Sequence, residues 1–201
     1  MKRILCFGDS NTWGYIPNGH HTQYDENTRF SMVLQKLLGS NYKIIENGLP
    51  GRCAINDDPT YNDVNFNGSK IFFDVINNNL PIDYLILYIG SNDMKDCFSM
   101  NAEEVAKGIF DKYITPLAKI SPNTRIILIS PKVINKPAFF GFIEAYDKSK
   151  DFDKYYLDIA KKSNTLFLST NNLPVGDDGL HLTKKAHLLL ANELKDLIIS
   201  N

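Results

Sequence analysis

Short apolar runs alternate with amphipathic segments along this chain, and the alternation predicts strands separated by helices. Five runs are rich in Ile, Leu, Val and aromatic residues, have the length of buried strands and are followed by Gly, Asn, Ser or Pro: residues 3–7, 42–46, 83–89, 125–130 and 165–168. The centres of the third and fourth runs are continuously apolar, as is typical of parallel strands that are covered on both faces.

Four segments have helical spacing of their apolar residues: 30–38, 69–77, 101–119 and 183–199. Asn101 with Glu104 forms a variant capping box at the start of the third segment. Pro116 should kink or split that helix, because proline lacks an N–H and its ring clashes with the preceding turn. Thr183 supplies a cap for the fourth segment. Since strands and helices alternate, we predict an open parallel sheet wrapped by helices.

Composition narrows the class of protein. The 201 residues are predicted to form a single domain over residues 1–201, and 43% apolar with 22% charged residues is the mix of a soluble globular protein. The net charge of −1 lacks the basic excess that nucleic acids and membrane surfaces require, so neither partner is expected. The apolar stretch 4–7 is too short for a signal peptide, and no run approaches the length of a membrane-spanning helix. We therefore expect a cytoplasmic protein.

The pattern of cysteines and histidines gives no support to a metal site. Cys6, Cys53 and Cys97 are odd in number and widely spaced, and no Cys-x-x-Cys, His-x-His or His-Glu-x-x-His pattern occurs. We therefore expect neither a disulfide framework nor a bound metal. Cys6 is predicted to pack inside a strand.

Polar, glycine-bearing turns follow four of the predicted strands. They are residues 8–12 (Gly-Asp-Ser-Asn-Thr), 47–51 (Asn-Gly-Leu-Pro-Gly), 90–93 (Gly-Ser-Asn-Asp) and 177–181 (Asp-Asp-Gly-Leu-His). Open parallel sheets bind ligands beyond the carboxyl ends of their strands, so these turns should meet at one edge and form a site. Two long connections, 47–68 and 131–147, are also typical of loops that serve a site.

One of these turns carries a serine and another a histidine, which together suggest nucleophilic catalysis. A serine hydroxyl is a poor nucleophile until a base removes its proton. His181 lies three residues after Asp178, an offset that would let this carboxylate orient the imidazole toward Ser10. A plain helix cap or turn at Ser10 is the other interpretation. The histidines at 20–21 lie in a polar loop and His187 inside a predicted helix, where exposure or packing accounts for them.

Acyl transfer also needs hydrogen-bond donors that face the developing oxyanion. Gly51 offers an N–H that no side chain obstructs, Asn92 offers a carboxamide, and Ser10 offers its own N–H. An asparagine in a turn is more often a self-capping residue, which is the other interpretation of Asn92. The convergence of nucleophile, base, orienting carboxylate and donors on separate turns favours a hydrolytic site.

Four blocks of sequence resemble the signature blocks of the SGNH (GDSL-type) hydrolase superfamily, in the same order: Gly8-Asp9-Ser10, Gly51, Gly90-Ser91-Asn92-Asp93 and Asp178-Gly179-Leu180-His181. Residues 7–14 (Phe-Gly-Asp-Ser-Asn-Thr-Trp-Gly) and 57–60 (Asp-Asp-Pro-Thr) further resemble the arylesterase/acyltransferase-like branch. The expected fold class is α/β, a three-layer sandwich in which helices flank a five-stranded parallel sheet of flavodoxin-like order 2-1-3-4-5.

The resemblance implies a role for each catalytic residue. Ser10 would be the nucleophile, His181 the base and Asp178 the group that orients His181. The N–H groups of Ser10 and Gly51 and the side chain of Asn92 would form the oxyanion hole.

Three further residues are implied to bind substrate. Trp13 matches an aromatic position that lines the acyl pocket of the family, although packing in the core or a surface patch also explains a lone tryptophan. Asp9 and Asn11 flank the nucleophile. Asn11 departs from the branch, in which an apolar residue often follows the serine.

The implied activity is that of a serine esterase that hydrolyses or transfers small acyl groups through an acyl-enzyme, without a metal or organic cofactor. The expected partner is a small acyl ester, and a homo-oligomer fits the self-association of relatives. Carbohydrate O-deacetylation is a more specific alternative, and a non-catalytic small-molecule binding protein is an alternative on the same scaffold. Phe139, Phe140 and Phe142 could form the wall of an acyl pocket, a lid or a subunit contact.

Other enzyme classes match the turns less well. A phosphotransferase of the haloacid dehalogenase type needs Asp-x-Asp after the first strand, whereas residues 9–11 are Asp-Ser-Asn. Dinucleotide binding needs a Gly-x-Gly-x-x-Gly turn, and residues 8–12 contain one glycine. A cysteine enzyme would need a histidine placed to partner one of the cysteines, and none is.

Overall fold

The computed structural model describes residues 1–135 and 141–201, so the predicted pocket residues Phe139 and Phe140 lie outside the described residues. A parallel sheet in the order β2-β1-β3-β4-β5 organises this part of the chain. Its strands are β1 (Lys2–Gly8), β2 (Tyr42–Gly48), β3 (Tyr84–Tyr88), β4 (Arg125–Ser130) and β5 (Leu166–Ser169). The predicted α/β fold and the strand order 2-1-3-4-5 are confirmed, and the apolar runs located each strand to within two residues at either end.

Helices connect these strands and cover both faces of the sheet. They are α1 (Ser10–Trp13), α2 (Phe30–Leu38), α3 (Gly68–Asn79), α4 (Ala102–Ile109), α5 (Thr115–Ile120), α6 (Ala145–Ser149), α7 (Phe152–Ser163) and α8 (Lys184–Ile199). The predictions of α2, α3 and α8 are confirmed. In residues 1–135 and 141–201, none of the helices is long and apolar enough to cross a membrane.

The sequence patterns missed α6 and α7, which lie between β4 and β5. Helix α7 buries Phe152, Tyr156 and Ala160, one residue per turn at a constant spacing of four. Tyr155 and Ile159 pack against the same core, so the apolar face of α7 has the i, i+3, i+4, i+7, i+8 spacing of a typical core-facing helix. Charged residues fill most of the remaining positions, so the sequence contains a helical pattern that the sequence analysis did not use.

The helical segment that was predicted from Asn101 is interrupted by a π-helical turn, Phe110–Ile114, between α4 and α5. Asn101 and Glu104 form the predicted capping box, with bonds of 3.1 Å and 3.0 Å. Pro116 has no N–H for the carbonyl four residues earlier, and its ring crowds that carbonyl. The expected interruption is therefore present, in the form of a widened turn.

Alternate residues of the central strands enter separate cores on the two faces of the sheet. Leu5, Phe7, Leu85 and Leu87 belong to the core beneath α3, α4 and α7, whereas Ile4, Cys6, Ile86 and Tyr88 belong to the core beneath α2 and α8. This period of two is the geometry of a pleated strand. Because both faces are covered, the polar groups that follow the strands can be accommodated only at the ends of the sheet.

His187 is a buried residue of α8 that contacts α2. Its Nδ1 accepts the N–H of Phe30 at 3.2 Å, and its ring stacks on the Phe30 ring. Of the two roles expected for His187, exposure on the surface or packing in the interior, the structure shows packing. Burial, reinforced by the nearby His181, lowers the pKa of His187 to about 4.

We predict that His187→Asn flattens the pH dependence of stability between pH 4 and 6.5. In the wild type the unfolded state binds a proton near the ordinary histidine pKa of 6.5, whereas the folded state resists protonation down to about 4. Stability is therefore fully present above 6.5 and is lost as the pH falls through this window. Asparagine keeps an acceptor for the N–H of Phe30 but does not titrate. Urea unfolding across this range measures the slope, and an unchanged slope in the variant would contradict the assignment.

Candidate active site

The turn after β1 and the turn before α8 bring a serine, a histidine and an aspartate into one hydrogen-bonded chain. Ser10 Oγ lies 3.0 Å from His181 Nε2, and His181 Nδ1 lies 2.9 Å from Asp178 Oδ2. All three residues are buried. The hydroxyl and the imidazole are 171 positions apart in the sequence, so only the fold makes them neighbours.

Asp178 determines which nitrogen of His181 carries the proton. Burial favours the neutral carboxyl, but the ring and the N–H of His181 and the N–H of Leu180 donate to Asp178 and hold its pKa below the ordinary value. The ionised carboxylate accepts from Nδ1, so Nδ1 carries the proton. Nε2 is then left to accept the hydroxyl hydrogen of Ser10.

Tyr15 packs flat against the imidazole of His181. The two ring centroids are 4.3 Å apart with an interplanar angle of 25°. Tyr15 is itself buried, and its hydroxyl accepts the N–H of His21. The sequence analysis missed this residue, since nothing in the local pattern after Ser10 shows that the turn covers a loop near the other end of the chain.

The three candidate oxyanion donors line the same cavity as Ser10 and His181. Ser10 is the first residue of α1, and N–H groups in the first turn of a helix have no partner within that helix. Asn92 Nδ2 donates one hydrogen to the carbonyl of Arg52 at 3.1 Å and, as a primary amide, has a second N–H. Gly51 has a φ of +86°, a backbone conformation that favours glycine.

Asp93 holds the loop that follows Gly51. Its buried carboxylate accepts the N–H groups of Ala54 at 2.5 Å, Ile55 at 3.0 Å and Asn56 at 3.3 Å, together with the side-chain amide of Asn56 at 2.9 Å. The four donors converge on one side chain of the Gly90-Ser91-Asn92-Asp93 block. The loop of Gly51 is therefore tied to the turn that carries Asn92.

A cavity of about 770 Å³ opens in front of Ser10, and its walls are mostly apolar. The rings of Tyr61 and Phe66 stack in parallel at 3.9 Å on one side. Phe142 and Ile143 line the cavity as well, so Phe142 belongs to its wall. Lys95 is a lining residue that forms an ion pair with the buried Asp58.

The three residues near Ser10 that were predicted to bind substrate do not line this cavity. Trp13 is half-buried and lies 6.2 Å from the ring of Tyr15. Asp9 is fully buried and caps α1 by accepting the N–H of Asn11 at 3.0 Å; burial raises the pKa of Asp9 to about 6. The side chain of Asn11 contacts the loop of His181. A role of these residues in substrate binding stays a prediction.

Metal ligands are not clustered in the described residues. Within residues 1–135 and 141–201, no group of three His, Cys, Asp or Glu side chains is placed to hold a metal ion. Cys6 lies in the core, as expected, and Cys53 is likewise buried.

A parallel sheet of order 2-1-3-4-5 with these sequence blocks at its carboxyl edge defines a hydrolase of the SGNH fold. The sequence profile of the GDSL-like Lipase/Acylhydrolase family matches residues 6–189, and the chain belongs to that family. The family and its structural relatives make the protein a hydrolase that acts on esters.

The solved structures that are similar over the whole chain include two esterases. One is Est24, a carbohydrate acetylesterase from Sinorhizobium meliloti, with 28% identity, a TM-score of 0.88 and coverage of 100% of this chain and 99% of that chain. The other is the native aryl esterase of M. smegmatis, with 28% identity, a TM-score of 0.88 and the same coverage. No curated protein matches the sequence.

We predict that Gly51→Ala lowers both stability and ester hydrolysis. A Cβ at this position would lie 3.3 Å from the rings of Phe66 and Tyr61, in a backbone conformation that costs other residues about 1–2 kcal/mol. Gly39→Ala is a matched control, because Gly39 also has a positive φ, +69°, but has open space around it. Urea unfolding should show a loss in both variants. Rates on p-nitrophenyl acetate should fall in Gly51→Ala alone, and equal rates in the two variants would contradict the prediction.

Proposed function

We propose that this chain is a serine carboxylic ester hydrolase that works through an acyl-enzyme on Ser10. The observation that carries the proposal is the hydrogen-bonded chain from Ser10 Oγ through His181 to Asp178, with links of 3.0 Å and 2.9 Å, at the wall of an apolar cavity. These distances satisfy the requirement that a general base lie within hydrogen-bond reach of the proton it removes. Ser10 is the nucleophile, His181 the base and Asp178 the orienting carboxylate.

The first half of the reaction transfers the acyl group to the protein. His181 Nε2 takes the proton of Ser10 as Oγ bonds to the ester carbonyl carbon, and Asp178 stabilises the imidazolium that forms. The carbonyl oxygen becomes an oxyanion, which the N–H groups of Ser10 and Gly51 and the amide of Asn92 stabilise. Each such donor contributes about 3 kcal/mol at the transition state. The bond to the alcohol oxygen then breaks, and the alcohol leaves with the proton from His181.

The second half regenerates the free serine. His181 removes a proton from water, the water oxygen bonds to the acyl carbon, and the bond from that carbon to Ser10 Oγ breaks. Ser10 recovers its proton from His181, and the carboxylic acid leaves. If an alcohol takes the place of water in this half, the products are a new ester and free enzyme, which is acyl transfer.

The substrate class that we propose is a small acyl ester with an apolar or flat alcohol part. The stacked rings of Tyr61 and Phe66 and the buried Phe142 offer apolar surface close to Ser10. Two relatives with 28% identity support small esters, one as an aryl esterase and the other as a carbohydrate acetylesterase. An acetylated sugar is therefore the second substrate to test, after aryl acetates.

We predict that Ser10→Ala and His181→Ala each lower kcat for p-nitrophenyl acetate by about 10⁴-fold or more, because members of such a triad act as a unit. Ser130→Ala is a control at the end of β4, where the serine is equally buried but does not line the cavity. Its kcat should stay at the wild-type value. Circular dichroism and urea unfolding show that each variant is folded.

A fluorophosphonate probe separates the esterase from a non-catalytic binding protein on the same scaffold. The wild type and Ser130→Ala should be labelled covalently, and Ser10→Ala should not. Near-wild-type turnover by Ser10→Ala, or an unlabelled wild type, would overturn the proposed mechanism.

We predict that Tyr61→Ala raises KM for p-nitrophenyl acetate by about tenfold and leaves KM for ethyl acetate within about twofold, because an aromatic contact of this kind contributes about 0.5–1.5 kcal/mol. The two esters share the acyl group and differ in the alcohol, so the ratio of their KM changes reports contact with the aromatic ring. An equal rise for both esters would place the aromatic ring of the substrate elsewhere.

A further inference from the structure

The side-chain amide of Asn11 forms hydrogen bonds with the backbone on both sides of His181. Asn11 Nδ2 donates to the carbonyl of Leu180 at 3.3 Å, and Asn11 Oδ1 accepts the N–H of Leu182 at 2.9 Å. Asn11 is buried, so water does not compete freely for these groups. A neighbouring strand in a sheet would pair with the same two backbone groups, the carbonyl before a residue and the N–H after it.

We propose that Asn11 is a positioning residue that holds the loop of His181 at the correct distance from Ser10. This proposal rests on the proposed function and adds a residue to it. Asn11 directly follows Ser10 in α1, so a bond from its side chain sets the place of the loop relative to the hydroxyl. The polar residue that departs from the related branch thus contacts the catalytic loop and not the cavity.

Two backbone bonds of His181 stay within its own loop. The N–H of His181 donates to Asp178 at 3.0 Å, and its carbonyl accepts the N–H of Gly176 at 2.9 Å. Both partners belong to the loop itself. These two bonds therefore do not set the distance between the loop and Ser10, whereas the amide of Asn11 and the stacked ring of Tyr15 reach the loop from the segment of Ser10.

The bond between Ser10 and His181 cannot set that distance throughout the reaction, because its proton is transferred when Oγ attacks. The two bonds of Asn11 involve no group that changes protonation. They keep the loop in place while the reactive bond is broken, and a displacement of about 1 Å at such a site can lower the rate by about 100-fold.

The two hydrogen bonds require that the side chain at position 11 both donate and accept. One partner is a carbonyl and needs a donor, and the other is an N–H and needs an acceptor. Asparagine satisfies both. Asn11→Asp keeps the acceptor but places a carboxylate oxygen against the carbonyl of Leu180. Asn11→Leu has the same number of side-chain heavy atoms but neither a donor nor an acceptor. Asn11→Asp therefore removes the bond to Leu180 alone, and Asn11→Leu removes both bonds.

The chain contains a matched control in Gln35 of α2. Its Nε2 donates to the carbonyl of Tyr42 at 3.0 Å, and its Oε1 accepts the N–H of Ile44 at 2.8 Å. The amide therefore contacts β2 on both sides of Lys43, in the same way that Asn11 contacts the loop on both sides of His181. Gln35 does not line the cavity. Gln35→Leu should lower stability and leave kcat unchanged.

The kinetic experiment measures kcat and KM for p-nitrophenyl acetate in these variants. We expect Asn11→Leu to lower kcat by about 10-fold to 100-fold with KM within about twofold, and Asn11→Asp to lower it less. In a His181→Ala background, Asn11→Leu should cause no further loss, because the residue acts through the imidazole. An equal fold-loss in both backgrounds, or no loss in either, would overturn the proposal.

Amide hydrogen exchange tests the contact without reference to catalysis. Exchange at Leu182 should accelerate in Asn11→Leu, stay slow in Asn11→Asp and stay slow in Gln35→Leu. Unchanged exchange at Leu182 in Asn11→Leu would overturn the proposed contact even if kcat fell. If Ser10→Ala hydrolyses as fast as the wild type while Leu182 exchanges faster in Asn11→Leu, the proposed function is wrong and the contact of Asn11 stands.

Discussion

The arrangement of this site depends on the parallel pairing of β1 with β2 and β3. Gly8 is the register partner of Gly48 on one side and of Tyr88 on the other, so the three strands end at one level. The segments that leave this edge carry Ser10, Gly51 and Asn92. A slip of one residue in either pairing would move a strand end by about 3.3 Å, which exceeds the tolerance of a hydrogen bond.

Close approach of the backbone at this edge places Ser10 directly beyond the sheet. A Cβ on Gly8 would lie 2.1 Å from both Thr12 Oγ1 and the carbonyl of Tyr88, so no larger residue fits between β1, β3 and α1. Arg52 closes the other side of the edge by donating to the carbonyls of Gly8 at 3.0 Å and Asn47 at 2.8 Å. The carbonyl of Gly8 also accepts the N–H of Leu49 at 3.2 Å, so Arg52 adds a second donor to it.

Beyond the sheet, buried carboxylates accept the backbone N–H groups that would be paired in a regular helix or strand. Asp93 gathers the N–H groups of residues 54–56, and Asp178 gathers those of Leu180 and His181. Each loop is folded around one acceptor, and a charged acceptor forms stronger hydrogen bonds than a neutral one. One of these carboxylates comes from a neighbouring turn, and the other lies within the loop that it holds.

Local patterns in the sequence determined the five strands and the turns that contain Ser10 and His181. The reason is that strand burial and turn chemistry depend on residues that are close together in the chain. The helical stripe of α7 is also a local pattern, and the sequence contains it although the sequence analysis missed that helix. Local patterns gave no information on Tyr15 against His181, or on the direction of the Asn11 side chain, since both are contacts between segments about 170 positions apart. Only the tertiary structure decided these features, because the partner of a side chain is set by which segments the fold brings together and not by the neighbours of that residue in sequence.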